Sequence, residues 1–156
     1  PSPPKHPLCL EIGPEKPKEN KKGPIEEEVL AYTSGKGVDV IIDFVAAPYF
    51  NQNINCLTTD GRLVMLALLG GVKANDVNLA KILTKRLQIT GSTLRSRSVD
   101  YQVKLTKDFA DFSLKRFENG QLKPVIDKVY SWKEVAEAHR YMESNQSAGK
   151  LVLEVQ

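Results

Sequence analysis

Three observations predict an α/β fold with a parallel sheet and flanking helices for this 156-residue chain. Strand-like runs at 38–44, 62–69 and 87–94, the first rich in β-branched residues, alternate with stretches of helical periodicity, the pattern of strand–helix–strand units joined by right-handed crossovers. The stretch from Leu63 to Leu69 is unbroken apolar sequence, as in a strand covered by helices on both faces. A hydrophobic content of 41% with 26% charged residues is that of an ordinary globular core under a polar surface.

The elements follow in chain order. Residues 1–24 stand apart, with seven of the nine prolines and five lysines against three glutamates. Only Leu8, Cys9, Leu10 and Ile12 could join a core, so the segment reads as a disordered Pro/Lys-rich tail. A basic nucleic-acid tail is the sharper alternative; the glutamates and the lack of aromatics oppose it. Pro24 at a first helical position, followed by Glu26, Glu27 and Glu28, predicts a helix start. Ile25, Val29, Leu30 and Tyr32 share one side of that helix, and Gly35 or Gly37 ends it. Val38–Phe44 reads as a strand and Pro48–Leu57 as a short helix. Asp60-Gly61 reads as a turn and Arg62–Leu69 as a second strand. Asn75 or Asp76 caps a helix running to about Arg86, and Leu87–Leu94 is a third strand.

A long helix is predicted from Val99 to Asn119, with Val103, Phe109, Phe112 and Leu114 as apolar positions and Gly120 as its stop. Pro124–Tyr130 is extended. Ser131-Trp132-Lys133-Glu134 is a capping box, and the helix it opens carries Val135, Ala138 and Met142 on one side. Gly149 ends a turn before a last strand, Leu151–Val155. Cys56, Trp132 and the aromatics of the long helix read as core residues. No internal repeat is visible.

Charge and cysteine content narrow the function. A net charge of +3 is too small to argue for nucleic acid. Two cysteines, Cys9 and Cys56, exclude a disulfide scaffold and a Cys-rich zinc site, and a reduced, cytoplasmic location fits. The seven-residue apolar run falls well short of the roughly 18–20 residues that cross a bilayer, and no membrane partner is expected. The N-terminus has no apolar signal-peptide region and no initiator Met, which reads as a chain processed or excised from something longer.

Open parallel sheets bind ligands beyond the carboxyl ends of their strands. The loops to watch are therefore Val45-Ala46-Ala47, Gly70-Gly71 and Ser92-Thr93-Leu94-Arg95. Those loops carry a resemblance. GKGVDVIIDFVAAPY at Gly35–Tyr49, DGRLVMLALLGG at Asp60–Gly71 and LQITGSTLRSR at Leu87–Arg97 are similar to the zinc-independent NADPH:quinone oxidoreductases. These are the zeta-crystallin-like branch of the medium-chain dehydrogenase/reductase superfamily. LKPVIDKVYSWKEVAEAHRYMESNQSAGKLVLEV at Leu122–Val155 completes the match.

The resemblance implies a partial Rossmann-type NADP-binding domain at 25–121. It also implies a return segment at 122–156 belonging to a GroES-like catalytic domain. It implies hydride transfer from NADPH to a quinone or a similar electron-poor acceptor, without metal; some relatives reduce enoyl thioesters or other activated alkenes. The cofactor carries that chemistry and the protein orients it. By the same resemblance, Val45 and Ala46 line the cofactor, Gly70 and Gly71 approach the nicotinamide ribose, and Leu69 beside them is cofactor-binding. Ser92, Leu94 and Arg95 run beside the nicotinamide, and Lys150 lies near the cofactor phosphates. The edge strand Leu87–Leu94 would pair with its twin in a homodimer, or with a full-length relative. A second apolar edge near Val38–Phe44 argues against a monomer.

Several features depart from the family. No GxGxxG occurs in the 156 residues, and Gly35-Lys36-Gly37 precedes a strand, where a phosphate-binding turn must follow one. Ala46 and Ala67 stand where relatives commonly carry glycine. The preference for NADPH over NADH therefore rests on resemblance alone. The chain reads as a truncated, spliced or decaying copy with weak or no NADPH binding and negligible quinone reduction. A non-catalytic fragment that pairs with a full-length relative is the main rival. His139 sits among charged helix neighbours with no partner set for catalysis, and His6 lies in the tail. No GxSxG motif and no zinc-ligand spacing is present.

Overall fold

A computed structural model describes residues 23–155, so the tail, His6 and Cys9 lie outside the described residues. The described chain forms two compact units, residues 23–98 and residues 99–155. Both are α/β, and each contains one parallel sheet.

In the first unit, α1 (Ile25–Tyr32) starts one residue after Pro24, which takes the N-cap position, and its three glutamates occupy the first turn. There they meet the positive end of the helix dipole. Its Ile25 N–H donates to Gln52 (2.8 Å), and Glu26 accepts from the Asn55 amide (2.8 Å). Ile25, Val29 and Leu30 are half-buried, while Tyr32 is exposed, contrary to its predicted place on the inner side. β1 (Val38–Asp43) follows, then a 3₁₀ turn (Ala47–Tyr49) leading into α2 (Phe50–Cys56). The negative end of α2 is met by Lys85, whose Nζ donates to the carbonyls of Ile54 (3.3 Å), Asn55 (2.9 Å) and Leu57 (2.6 Å).

β2 (Leu57–Met65) is central, with β1 and β3 (Gln88–Gly91) as parallel neighbours. Asp60-Gly61 is not a turn before this strand but a bulge inside it. Val38 pairs with Leu57 and Val40 with Arg62, so two steps of β1 oppose five of β2. Asp60 takes φ +62° there, and Arg86 holds its carboxylate with two bonds of 2.8 and 2.6 Å. The strand also stops earlier than predicted. β1 ends at Asp43, so Leu66–Leu69 have no ladder partner and turn across the end of β1; Leu69 N–H donates to the Phe44 carbonyl (3.1 Å).

α3 (Leu79–Thr84) is shorter than predicted and is capped by Asn78, not by Asn75 or Asp76. Asp76 is left-handed at φ +53°, and its carbonyl and that of Asn75 accept from Asn51, which removes both from helical geometry. Arg86, at φ +51°, closes the other end. The core of this unit gathers at Ile54, Cys56, Leu57 and Leu63. Val40 and Ile42, on one face of β1, and Phe44 just beyond it are exposed among the described residues.

Cys56 is buried as expected. Burial pushes its thiol above the ordinary 9.0, the Glu26 carboxylate adds to the rise, and the Lys85 ammonium opposes it. The fold thus favours the neutral thiol. That contribution is complete below pH 9.0 and is lost as the pH climbs through the raised folded value. The melting temperature of the wild-type chain should therefore fall more steeply than that of Cys56→Ala between about pH 9 and 11. Equal slopes in scanning calorimetry would contradict it.

In the second unit, α4 (Val99–Glu118) ends where predicted, with Gly120 N–H donating to the Phe117 carbonyl (3.2 Å). Its Val103, Phe109, Phe112 and Leu114 are exposed among the described residues, not core. At about 100° per residue they point to different sides, so no single face could bury all four. β4 (Ile126–Ser131) and β5 (Lys150–Glu154) pair in parallel, joined through a 3₁₀ turn (Trp132–Glu134) and α5 (Val135–Glu143). The capping box forms, with Ser131 N–H donating to Glu134 (3.0 Å). Trp132 lies outside the core at 48% exposure. Val135, Ala138 and Met142 do share a side and line a cavity of about 130 Å³ with Leu151 and Leu153. No helix among the described residues is long and apolar enough to cross a membrane.

Candidate functional site

Because β1, β2 and β3 run parallel, their carboxyl ends emerge on one edge of the sheet. Three of the predicted loops leave from that edge. Asp43, the last residue of β1, is 6% exposed and organises the first of them. Its Oδ1 accepts from the backbone N–H groups of Val45 (2.7 Å) and Ala46 (3.0 Å). Its Oδ2 accepts from the buried Asn53 amide on α2 (2.9 Å). Ala46 is 4% exposed and adopts φ +69°, ψ −109°. A side chain is disfavoured there, at a cost of about 1–3 kcal/mol. The Ala46 carbonyl accepts from Tyr49 N–H (2.9 Å) and so starts the turn into α2.

The loop after β2 folds onto the loop after β1. Gly70 N–H donates to the Val45 carbonyl (2.8 Å). A Cβ at Gly70 would stand 2.7 Å from Pro48 Cγ and 2.8 Å from Val45 Cγ1, so only glycine permits this approach. Between the two loops lies a cavity of about 210 Å³, lined by Ala46, Ala47, Phe50, Met65, Leu68 and Gly71 among others. Its walls are apolar. Such a pocket suits a flat, uncharged group and offers nothing to a phosphate.

The predicted site residues separate on this geometry. Ala46 and Gly71 line the cavity, while Val45 and Gly70 form its backbone brace. Leu69 is 82% exposed and is not part of the lining. Ser92 N–H donates to the Met65 carbonyl (3.0 Å), which ties the exit of β3 to the end of β2. Leu94 and Arg95 stand exposed in the turn closed by Arg97 N–H on the Leu94 carbonyl (3.1 Å), beyond the lining. Lys150 belongs to the other unit, where its N–H donates to the Val125 carbonyl (2.8 Å).

Sequence reasoning missed Asp43, Asn53, Phe50, Met65 and Leu68. A signal for Asp43 was present: a lone carboxylate within Val40-Ile41-Ile42-Asp43-Phe44-Val45 must be buried, and a buried carboxylate needs donors. Asn53, ten residues away, gave no such signal.

The fold and the cavity together describe a parallel α/β protein with an apolar cavity at the carboxyl ends of the strands of its first unit. A family model described as zinc-binding dehydrogenase matches residues 20–153, and the chain belongs to that family, within the medium-chain dehydrogenase/reductase superfamily. The chain is 35% identical over 131 residues to an NAD-dependent alcohol dehydrogenase of Sulfolobus acidocaldarius, covering 83% of this chain and 35% of that protein. It is 34% identical over 119 residues to a quinone oxidoreductase of Lama guanicoe, covering 76% and 34%. The solved CurK enoyl reductase superposes with a TM-score of 0.77 at 25% identity, covering 100% of this chain and 46% of that one. The chain thus spans about a third of the length of these curated relatives. Among the described residues, no group of three His, Cys, Asp or Glu side chains could hold a metal ion.

Proposed function

We propose that this chain supplies the nicotinamide end of a cofactor site in an oxidoreductase that passes hydride, without metal, from NADPH to a quinone or a similar electron-poor acceptor. The observation that carries the reading is the apolar cavity between Ala46 and Gly71 at the strand ends. When bound, the nicotinamide supplies the hydride. Ala46, Ala47 and Gly71 offer a close, uncharged surface to a flat ring, and Phe50, Met65 and Leu68 keep water from it. Residues 25–121 would belong to the cofactor domain and 122–156 to the return segment of a GroES-like catalytic domain. A dimer would form through the β3 edge. The name of the Lama guanicoe relative supports the quinone. The enoyl reductase likeness supports an activated alkene as the second reading, and turnover with a quinone against an enoyl thioester separates the two. One relative is named NAD-dependent, so NADH belongs in the same assays.

The residues present fit the nicotinamide half of the cofactor and not its phosphates, since the sequence contains no GxGxxG. Binding by this chain alone should therefore be weak, with Kd on the order of 1 mM, about −4 kcal/mol. In an NADPH titration followed by amide NMR, shifts are expected at Ala46, Ala47, Gly71 and Val72. Adenosine 2′,5′-bisphosphate should leave those amides unmoved. Calorimetry should give little heat and quinone turnover should be negligible. If the folded chain shows no shift at these amides with several millimolar NADPH, the reading fails, and a non-catalytic pairing role takes its place.

A further inference from the structure

Resting on that cofactor reading, we propose that Asp43 and Asn53 form a positioning pair that holds Ala46 in its strained backbone and so shapes the nicotinamide cavity. Nothing intrinsic to alanine favours φ +69°, ψ −109°. Such a residue persists only where its surroundings over-determine it. Here one buried carboxylate oxygen accepts from two consecutive amides, at Val45 and Ala46, and so dictates the path of the chain between them. The other oxygen accepts from Asn53, which fixes the plane of the carboxylate. Asn53 is neutral. It orients Asp43 without offsetting its charge, and the charge strengthens both amide bonds. Asn53 is itself buried on α2, the helix that begins directly beyond the strained turn. Released from the pair, Ala46 would return to negative φ. Its methyl group and its carbonyl, on which the turn to Tyr49 depends, would then swing relative to the cavity.

A glycine would hold this backbone without help. That difference isolates positioning from general support. Four versions of the 156-residue chain are compared: wild type, Asp43→Asn, Ala46→Gly and the double variant. Asp43→Asn keeps one acceptor oxygen but removes the charge and turns an NH₂ toward Asn53, which must rotate its own amide to accept from it. Two quantities are read by NMR, the hydrogen-exchange rate at the Ala46 amide and the NADPH concentration that half-shifts the Gly71 amide. With alanine at 46, Asp43→Asn should speed exchange about tenfold and weaken NADPH about fivefold. In the Ala46→Gly background it should change either by less than about twofold. Equal losses in both backgrounds, or no loss in either, would overturn the proposal.

Should Asp43→Asn fail to fold, the swap Asp43→Asn with Asn53→Asp reverses the polarity of the pair. It should restore slow exchange at Ala46, and failure to do so would equally overturn the proposal. If NADPH shifts nothing in the wild type, the cofactor reading fails by itself, while the exchange rates still decide whether the pair holds Ala46.

Discussion

Gly37→Ala should cost the 23–98 unit at least about 3 kcal/mol, a large fraction of the roughly 5–15 kcal/mol that holds a domain folded. Gly37 is buried at φ +87°, between the end of α1 and the start of β1. A Cβ there would run directly into the Cys56 carbonyl oxygen, with the carbonyl carbon at 3.1 Å and the Leu57 carbonyl carbon at 3.4 Å. Both obstacles are backbone, at the point where α2 passes into β2, so no rotamer change relieves the overlap. Moving the chain would also break the bond from Gly37 N–H to Thr33 Oγ1 (2.9 Å), which ties α1 to the sheet. Gly35→Ala is the control. Its φ is similar, +80°, but a Cβ there meets nothing within 4 Å, so only backbone strain of about 1 kcal/mol applies. Urea unfolding followed by circular dichroism makes the comparison. Trp132 fluorescence is not suitable, because Trp132 lies in the other unit. Equal midpoints for the two variants would refute the steric argument.

Leu63→Ala should destabilise the same unit by about 3 kcal/mol. Leu63 is 0% exposed in the central strand, paired with Ile41 on one side and Ile89 on the other. The loss combines the transfer free energy of the removed carbons with the cavity they leave, and a residue in the middle of a ladder has little freedom to collapse into that space. The urea midpoint should fall with an unchanged slope. A shift worth less than about 1 kcal/mol would mean that neighbouring side chains refill the site.

How much of this was legible beforehand differs from element to element. Val38–Phe44 was read almost to its observed end at Asp43, because β-branched residues mark a strand through local sterics alone. The long helix was read to within a residue, because Gly120 supplies its stop. The box at Ser131–Glu134 was read because both of its bonds lie within four residues. The extent of β2 was not legible. Whether Asp60-Gly61 turns or bulges, and where Leu66–Leu69 leave the ladder, depends on the register and length of β1. The exposure of Tyr32, Trp132 and the α4 aromatics is not legible for a related reason. An apolar side chain shows what it could bury against, and only its neighbours in space decide whether it does.

The site divides in the same way. The parallel α/β class, the three strand-end loops and the Gly70-Gly71 turn are written in the order of residues, because periodicity and glycine chemistry act over a few positions. It takes the folded chain to bring Ala46 and Gly71 to one cavity, to leave Leu69, Leu94 and Arg95 outside its lining, and to join Asp43 to Asn53. Those relations hold between residues brought together by strand pairing and helix packing, and no local preference along the chain encodes which of them will touch.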